Sequence, residues 1–150
     1  MQELSGGTPI ANLLTGLGVD EILTRTDAAG TRHFLTDALG STLGLTDSSG
    51  TLLTQYTYEP FGNTTVSGAT NANPYQYTGR ENDGTGLYYY RARYYNPTLH
   101  RLISEDPIGF AGGDTNLYAY VLKSPVNYSD PRGLWGVGLW HQVRPKRELE

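Results

Sequence analysis

Thr36-Asp-Ala-Leu-Gly-Ser-Thr-Leu-Gly-Leu-Thr-Asp-Ser-Ser-Gly50 is the stretch that decides the fold class. It holds two copies of one signal, an acidic residue followed three positions later by glycine. Asp27-Ala-Ala-Gly30 precedes it and Glu59-Pro-Phe-Gly62 follows, so the starts are ten, ten and twelve residues apart. An acidic side chain at the first position accepts a hydrogen bond from the backbone two residues on, and glycine at the fourth tolerates positive φ. Each copy therefore predicts a type I turn ending in a left-handed residue, the usual three-residue hairpin loop. Between the turns lie Glu21-Ile-Leu-Thr-Arg-Thr26, Thr31-Arg-His-Phe-Leu-Thr36, Thr42-Leu-Gly-Leu45 and Thr51-Leu-Leu-Thr-Gln-Tyr-Thr-Tyr58. They have strand length, alternate in part and are rich in Thr and aromatics. The expectation is an all-β fold built on an antiparallel β-hairpin array. Such short repeats must stack to bury an apolar face. Two readings stand: a fragment of a longer array, or a small free-standing β-domain with regular turns.

Composition agrees. The chain has 150 residues, one domain's worth, with 12 Tyr, 19 Gly and 8 Pro, which suits short strands joined by tight turns. A net charge of −4 offers no broad basic surface, so nucleic acid is not expected as a partner. The absence of cysteine excludes disulfides and thiolate metal sites. His33, His100 and His141 are far apart in the sequence and lack ligand spacing, so neither metal nor cofactor is expected. The first residues carry no secretory signal and no apolar run is long enough for a membrane span.

Downstream the pattern changes. Thr64-Thr-Val-Ser-Gly-Ala-Thr-Asn-Ala-Asn-Pro74 is small, polar and turn-prone and reads as a joint, with residues 69–74 the linker. Tyr75-Gln-Tyr-Thr-Gly-Arg-Glu81 reads as another strand and Asp83-Gly-Thr-Gly86 as a turn. Leu87-Tyr-Tyr-Tyr-Arg-Ala-Arg-Tyr-Tyr95 reads as one strand, with Arg91, Arg93 and Tyr95 on one side and Tyr90, Ala92 and Tyr94 on the other. The two arginines are either solvated charges guarding a strand edge or partners for buried carboxylates.

The carboxylates come next. Asp106-Pro-Ile-Gly109 and Asp130-Pro-Arg-Gly133 are matched elements whose starts lie 24 residues apart. Each can be a plain turn, with Pro fixing φ and Gly supplying the fourth position. Asn116-Leu-Tyr-Ala-Tyr-Val-Leu122, a short helix or a packed strand, could fold back and bring Asp106 and Asp130 together. Glu105 is the rival carboxylate, expected to point the other way from Asp106 on an extended segment.

The repeats, with Thr36-Asp-Ala-Leu-Gly-Ser-Thr42 and Tyr56-Thr-Tyr-Glu-Pro-Phe-Gly-Asn63, resemble the tyrosine-aspartate (YD) repeats of the Rhs family. The segment Gly79-Arg-Glu81, Gly86-Leu-Tyr-Tyr-Tyr-Arg-Ala-Arg-Tyr-Tyr-Asn-Pro97, Arg101-Leu-Ile-Ser-Glu-Asp-Pro-Ile-Gly109, Asn116-Leu-Tyr-Ala-Tyr120 and Pro125-Val-Asn-Tyr-Ser-Asp-Pro-Arg-Gly-Leu134 is similar to that family's repeat-associated core almost element by element. Glu59 and Asn96 stand where the family commonly has Asp. The resemblance implies YD repeats over residues 1–68, the end of a β-ribbon shell; an autoprotease core with short helical or irregular segments over 75–134; and a tail or toxin stub over 135–150. It implies an intramolecular aspartic protease with Asp106 and Asp130 as the dyad, Arg93 as accessory arginine, and a cut between Leu134 and Trp135. The implied partners are an upstream YD-repeat shell of the same longer protein and a C-terminal toxin segment. The implied location is secreted or cell-surface delivered, within a larger bacterial protein. Two carboxyls close together cannot both ionise cheaply, so one keeps a proton while the other activates water. The other readings are an inactive structural cap and a surface-binding β-module.

Overall fold

The computed structural model describes residues 1–138. Expectations placed on the end of the tail, including that on His141, lie outside the described residues. The first half is a seven-stranded antiparallel meander in which each strand pairs with the next: β1 (Gln2–Ser5), β2 (Thr8–Thr15), β3 (Ile22–Asp27), β4 (Gly30–Thr36), β5 (Thr42–Thr46), β6 (Leu52–Tyr58) and β7 (Thr64–Gly68). No helix among the described residues is long and apolar enough to cross a membrane.

The turn chemistry is local. Oδ1 of Asp37 accepts from the backbone N–H of Leu39 at 2.9 Å and of Ser41 at 2.8 Å, and Oδ1 of Asp47 accepts from Ser49 at 2.8 Å and Thr51 at 3.0 Å. Gly40, Gly50 and Gly62 follow at φ of 83°, 85° and 89°. The longer Glu59 side chain makes no such backbone bond and instead accepts from Asn63 Nδ2 at 3.0 Å, yet the Gly62 N–H still closes the turn on the Glu59 carbonyl at 2.7 Å. The first signal differs from its expected form. Asp27 pairs directly with Gly30, so that loop has two residues rather than three.

Three stretches depart from the sequence reading. The polar run opening at Thr64 is strand β7, paired with β6 from Thr54↔Gly68 to Tyr58↔Thr64; on a sheet edge with mostly exposed side chains nothing forces an apolar alternation. Residues 75–81 do not form a strand. They fold back on themselves, with a Tyr75↔Glu81 bridge and a single 3-10 turn at Tyr77–Gly79. Asn116 to Leu122 is neither helix nor strand: Ala119 bridges Arg101, and Val121–Lys123 makes a 3-10 turn with φ of 42°, 54° and 58°.

The largest correction concerns Leu87 to Tyr95. The second sheet has the order β11-β10-β9-β8, built from β8 (Glu81–Asn82), β9 (Tyr88–Tyr90), β10 (Arg93–Asn96) and β11 (Arg101–Leu102). The supposed single strand is a hairpin that reverses at Arg91-Ala92, pairing Tyr90 with Arg93 and Tyr88 with Tyr95. Side chains directly opposite share a face, so Tyr90 joins Arg93 and Tyr95 inside, while Tyr89 and Tyr94 turn outward. Arg91 takes a φ of 60° at the turn, which no glycine or asparagine announces in the sequence. A two-residue ladder, β12 (Tyr128–Ser129) with β13 (Val137–Gly138), closes the described chain.

Tyrosines hold the two sheets together. Tyr77, Tyr88, Tyr90, Tyr95 and Tyr120 form the main core with Leu102 and Val121. Their rings bury a large area while the hydroxyls find polar partners. Tyr77 and Tyr95 donate to the carbonyls of Pro60 at 2.9 Å and Phe61 at 2.8 Å, inside the last repeat turn. Tyr90 hydroxyl sits 2.6 Å from Thr78 Oγ1 and 2.8 Å from Tyr120 hydroxyl. Burial pushes the phenols of Tyr90 and Tyr120 well above their ordinary range, so they remain neutral donors. Tyr90→Phe leaves two buried hydroxyls short of a partner and is expected to destabilise the protein by about 1–3 kcal/mol, read as a lower urea midpoint with unchanged slope.

Candidate functional site

Arg93 occupies the first position of β10 with its side chain 2% exposed. The hairpin puts it on the inner face, and four acceptors converge on it. Nε donates to the carbonyl of Gly133, and Nη1 to the carbonyl of Leu117 at 3.0 Å. Nη2 lies 2.9 Å from Asp106 Oδ2 and 3.8 Å from Asp130 Oδ2. One nitrogen thus faces both carboxyl groups. The alternative use of Arg93 as a solvated edge charge is excluded by its burial, and Arg91, 44% exposed, takes the outer position.

Each aspartate divides its two oxygens between a turn and the arginine. Asp106 Oδ1 accepts from the Ile108 N–H at 3.0 Å, and the Gly109 N–H closes the turn on the Asp106 carbonyl at 2.9 Å. Asp130 Oδ1 accepts from the N–H groups of Arg132 at 3.2 Å, Leu134 at 3.1 Å and Trp135 at 3.2 Å. Turn formation and carboxylate pairing therefore coexist in the same element. Burial pushes the Asp130 carboxyl above its ordinary value, although the three N–H donors and Arg93 pull the other way. Glu105 is exposed and accepts from the Tyr118 hydroxyl at 3.2 Å, away from this group.

The Leu134-Trp135 peptide lies against the same carboxyls. Its N–H is the Trp135 donor to Asp130. Its carbonyl oxygen stands 3.0 Å from the point where a Cβ on Gly112 would be, and Asp106 Oδ2 stands 2.7 Å from that same point. Gly112 is what lets the two oxygens approach. A cavity of about 90 Å³ adjoins them, lined by Arg93, Asp106, Asp130, Leu134 and Trp135 among others, and has room for a few waters. The five residues singled out from the sequence are thus brought together. Gly112, the Leu117 carbonyl and the strained Val121 turn on the cavity wall carry no sequence signal. Their contributions are backbone position and space.

The glycines of the two matched elements have different duties. Gly109 has a φ of 58° with open space around a Cβ. Gly133 has a φ of 69°, and a Cβ there would stand 2.2 Å from the Tyr90 carbonyl oxygen and 3.1 Å from the Arg93 nitrogen. It is the close approach of this loop to the β9–β10 hairpin that sets the Gly133 carbonyl on Arg93.

No protein-family model matches the chain. Toxin subunit YenC1 of Yersinia entomophaga is 39% identical over 108 residues, covering 69% of this chain and 11% of that protein. The tRNA3(Ser)-specific nuclease WapA of Bacillus spizizenii is 37% identical over 122 residues, covering 77% of this chain and 5% of that protein. The chain therefore spans only 5% to 11% of the length of these two curated relatives. Among solved structures, the crystal structure of TcdB2-TccC3-Cdc42 superposes with a TM-score of 0.73 at 30% identity, over 83% of this chain and 6% of that chain.

Gly109→Ala meets only the left-handed backbone penalty, about 1–2 kcal/mol, whereas Gly133→Ala also collides with backbone and is expected to lower the urea midpoint further. The pH dependence has a definite sign. A buried carboxyl with a raised value makes its stabilising contribution in the protonated form, at acid pH, and loses it as pH rises from the ordinary Asp range through the raised value. Unfolding measured across that window should show wild type losing stability relative to Asp130→Asn as pH increases.

Proposed function

The chain belongs to the Rhs family of YD-repeat proteins and carries the repeat-associated core, and on that premise we propose that it is an intramolecular aspartic protease that cuts itself once between Leu134 and Trp135. The observation that most supports this reading is the shared contact of Arg93 Nη2 with Asp106 and Asp130, beside a peptide bond whose N–H bonds Asp130.

In the proposed reaction Asp106 takes a proton from a water in the adjoining cavity. The hydroxide oxygen forms a bond to the Leu134 carbonyl carbon, and the carbonyl electron pair moves onto its oxygen. Asp130 serves as the acid in this scheme, in keeping with the upward push that burial gives its carboxyl. On collapse of the tetrahedral species the C–N bond breaks, its electron pair goes to the Trp135 nitrogen, and Asp130 supplies the proton that makes the leaving amine. The products are a Leu134 carboxyl group and a Trp135 amino group. Arg93 keeps the two acids at fixed separation and offsets the charge that passes between them. Proximity replaces substrate binding, because the bond is covalently tethered to the acid that acts on it.

In this reading the seven-stranded meander is the end of a YD-repeat shell, the second sheet and its loops close it, and the cut frees a C-terminal toxin segment within a larger secreted or surface-delivered bacterial protein. A second reading, an inactive structural cap, draws support from the three N–H groups on Asp130 Oδ1, since the same bonds would stabilise a plug.

Intact mass spectrometry of the freshly folded protein separates the two. Autoproteolysis gives a fragment ending at Leu134, and Asp106→Asn and Asp130→Asn slow its appearance by about 10²-fold or more. A wild-type chain that stays whole while folded supports the cap instead.

A further inference from the structure

Arg80 and Arg91 converge on one backbone atom, the carbonyl oxygen of Pro131, in the loop that carries Asp130. Arg80 Nη2 donates to it at 2.8 Å, and Arg91 Nη1 donates to it as well. Both guanidinium groups also bond Asp20, which stands in the loop between β2 and β3 of the repeat sheet. Asp20 Oδ2 is 2.7 Å from Arg80 and Oδ1 is 2.5 Å from Arg91. The acid neutralises part of the repulsion between two cations that share one acceptor.

This arrangement reaches Asp130 through a rigid unit. The Pro131 carbonyl and the Arg132 N–H belong to one planar peptide group, and that N–H donates to Asp130 Oδ1 at 3.2 Å. Fixing the oxygen therefore fixes the direction of the N–H that holds the carboxyl. The next peptide is tied too, with the Ala92 N–H donating to the Arg132 carbonyl at 3.3 Å. The arrangement is costly by itself. Arg80 is 5% exposed, and its Nε is buried without a hydrogen-bond partner. Its guanidinium lies 5.1 Å from the centre of the Tyr90 ring, which offsets part of the desolvation. Arg91 and Asp20 both sit at positive φ, 60° and 61°. None of the three belongs to the Arg93 site.

We propose that Asp20, Arg80 and Arg91 are positioning residues for the cut, a clamp on the Pro131 carbonyl through which the β2–β3 loop of the repeat sheet holds the Asp130 carboxyl on the Leu134-Trp135 bond. The clamp rests on the autoproteolytic reading for its effect on rate, but its geometry does not. The repeat sheet is then part of the protease. Cleavage depends on that loop being seated, and a core whose repeats are not folded against it holds Asp130 out of register and does not cut.

The test uses the full 150-residue chain and two readouts. Asp20→Asn keeps the shape of the side chain and removes its charge; Arg91→Ala truncates an exposed side chain. Each should slow the appearance of the fragment ending at Leu134 by about 10- to 100-fold, the scale expected of a small misplacement, with an unchanged circular dichroism spectrum. The double variant should be no slower than the worse single one, and Asp20→Glu should recover most of the rate. The second readout needs no cleavage. In an Asp106→Asn background, Asp20→Asn and Arg91→Ala should each speed hydrogen exchange at the amides of Arg132, Leu134 and Trp135, which all donate to Asp130. Unchanged rates and unchanged exchange in both clamp variants would overturn the clamp while leaving autoproteolysis intact. Faster exchange in a chain that never cuts upholds the clamp and removes the protease.

Discussion

Arg93 is a cation removed from water whose one terminal nitrogen faces two carboxyl groups, and the rest of the core is arranged around that contact. A buried guanidinium is tolerated only when its donors are satisfied and its charge is met. Here the Gly133 and Leu117 carbonyls take two donors and Asp106 takes the nearer ion pair. One positive charge cannot balance two ionised acids. Burial pushes the Asp130 carboxyl above its ordinary value, and the proposed reaction draws on that shift.

Holding those groups in register falls to the tyrosine core. A sheet of hairpins with short, Thr-rich strands has little apolar area to offer, and the second sheet is smaller still. Tyrosine solves both problems, because each ring fills volume and each hydroxyl reaches a backbone carbonyl or another hydroxyl on the opposing side. The bonds from Tyr77 and Tyr95 into the Glu59 turn, and that from Thr42 Oγ1 to the Tyr75 carbonyl at 2.9 Å, make the repeats and the core one packed body. The Asp20 contacts to Arg80 and Arg91 extend that coupling from packing to charge.

The turn signals and the matched Asp-Pro-x-Gly elements were legible because each is a local event. An Asp side chain bonding a backbone N–H two residues away, or a glycine at positive φ, involves neighbours in the chain. Legibility failed where long-range contacts decided the conformation. Arg91-Ala92 turns without a turn residue because its surroundings hold it: Arg91 reaches Asp20 and Pro131, and Ala92 reaches Arg132. Thr64–Gly68 is a strand because β6 offers it a free edge, and residues 75–81 fold back through a Gly79 at φ of 71°, so near the Asp20 loop that a Cβ there would stand 3.1 Å from the Asp20 carbonyl oxygen.

The sequence by itself determined that the chain is all-β, that the repeats reverse at Asp27, Asp37, Asp47 and Glu59, and which acids, arginine and peptide bond were worth following. These follow from turn stereochemistry, strand-forming composition and recognisable motifs. Only the tertiary structure decided that the tyrosine-arginine run is a hairpin, that Arg93 rather than Arg91 is the buried one, and that Gly112 leaves room for the Leu134 carbonyl beside Asp106. Those outcomes depend on which backbone atoms meet across the fold, and carbonyl groups and empty space leave no letter in a sequence.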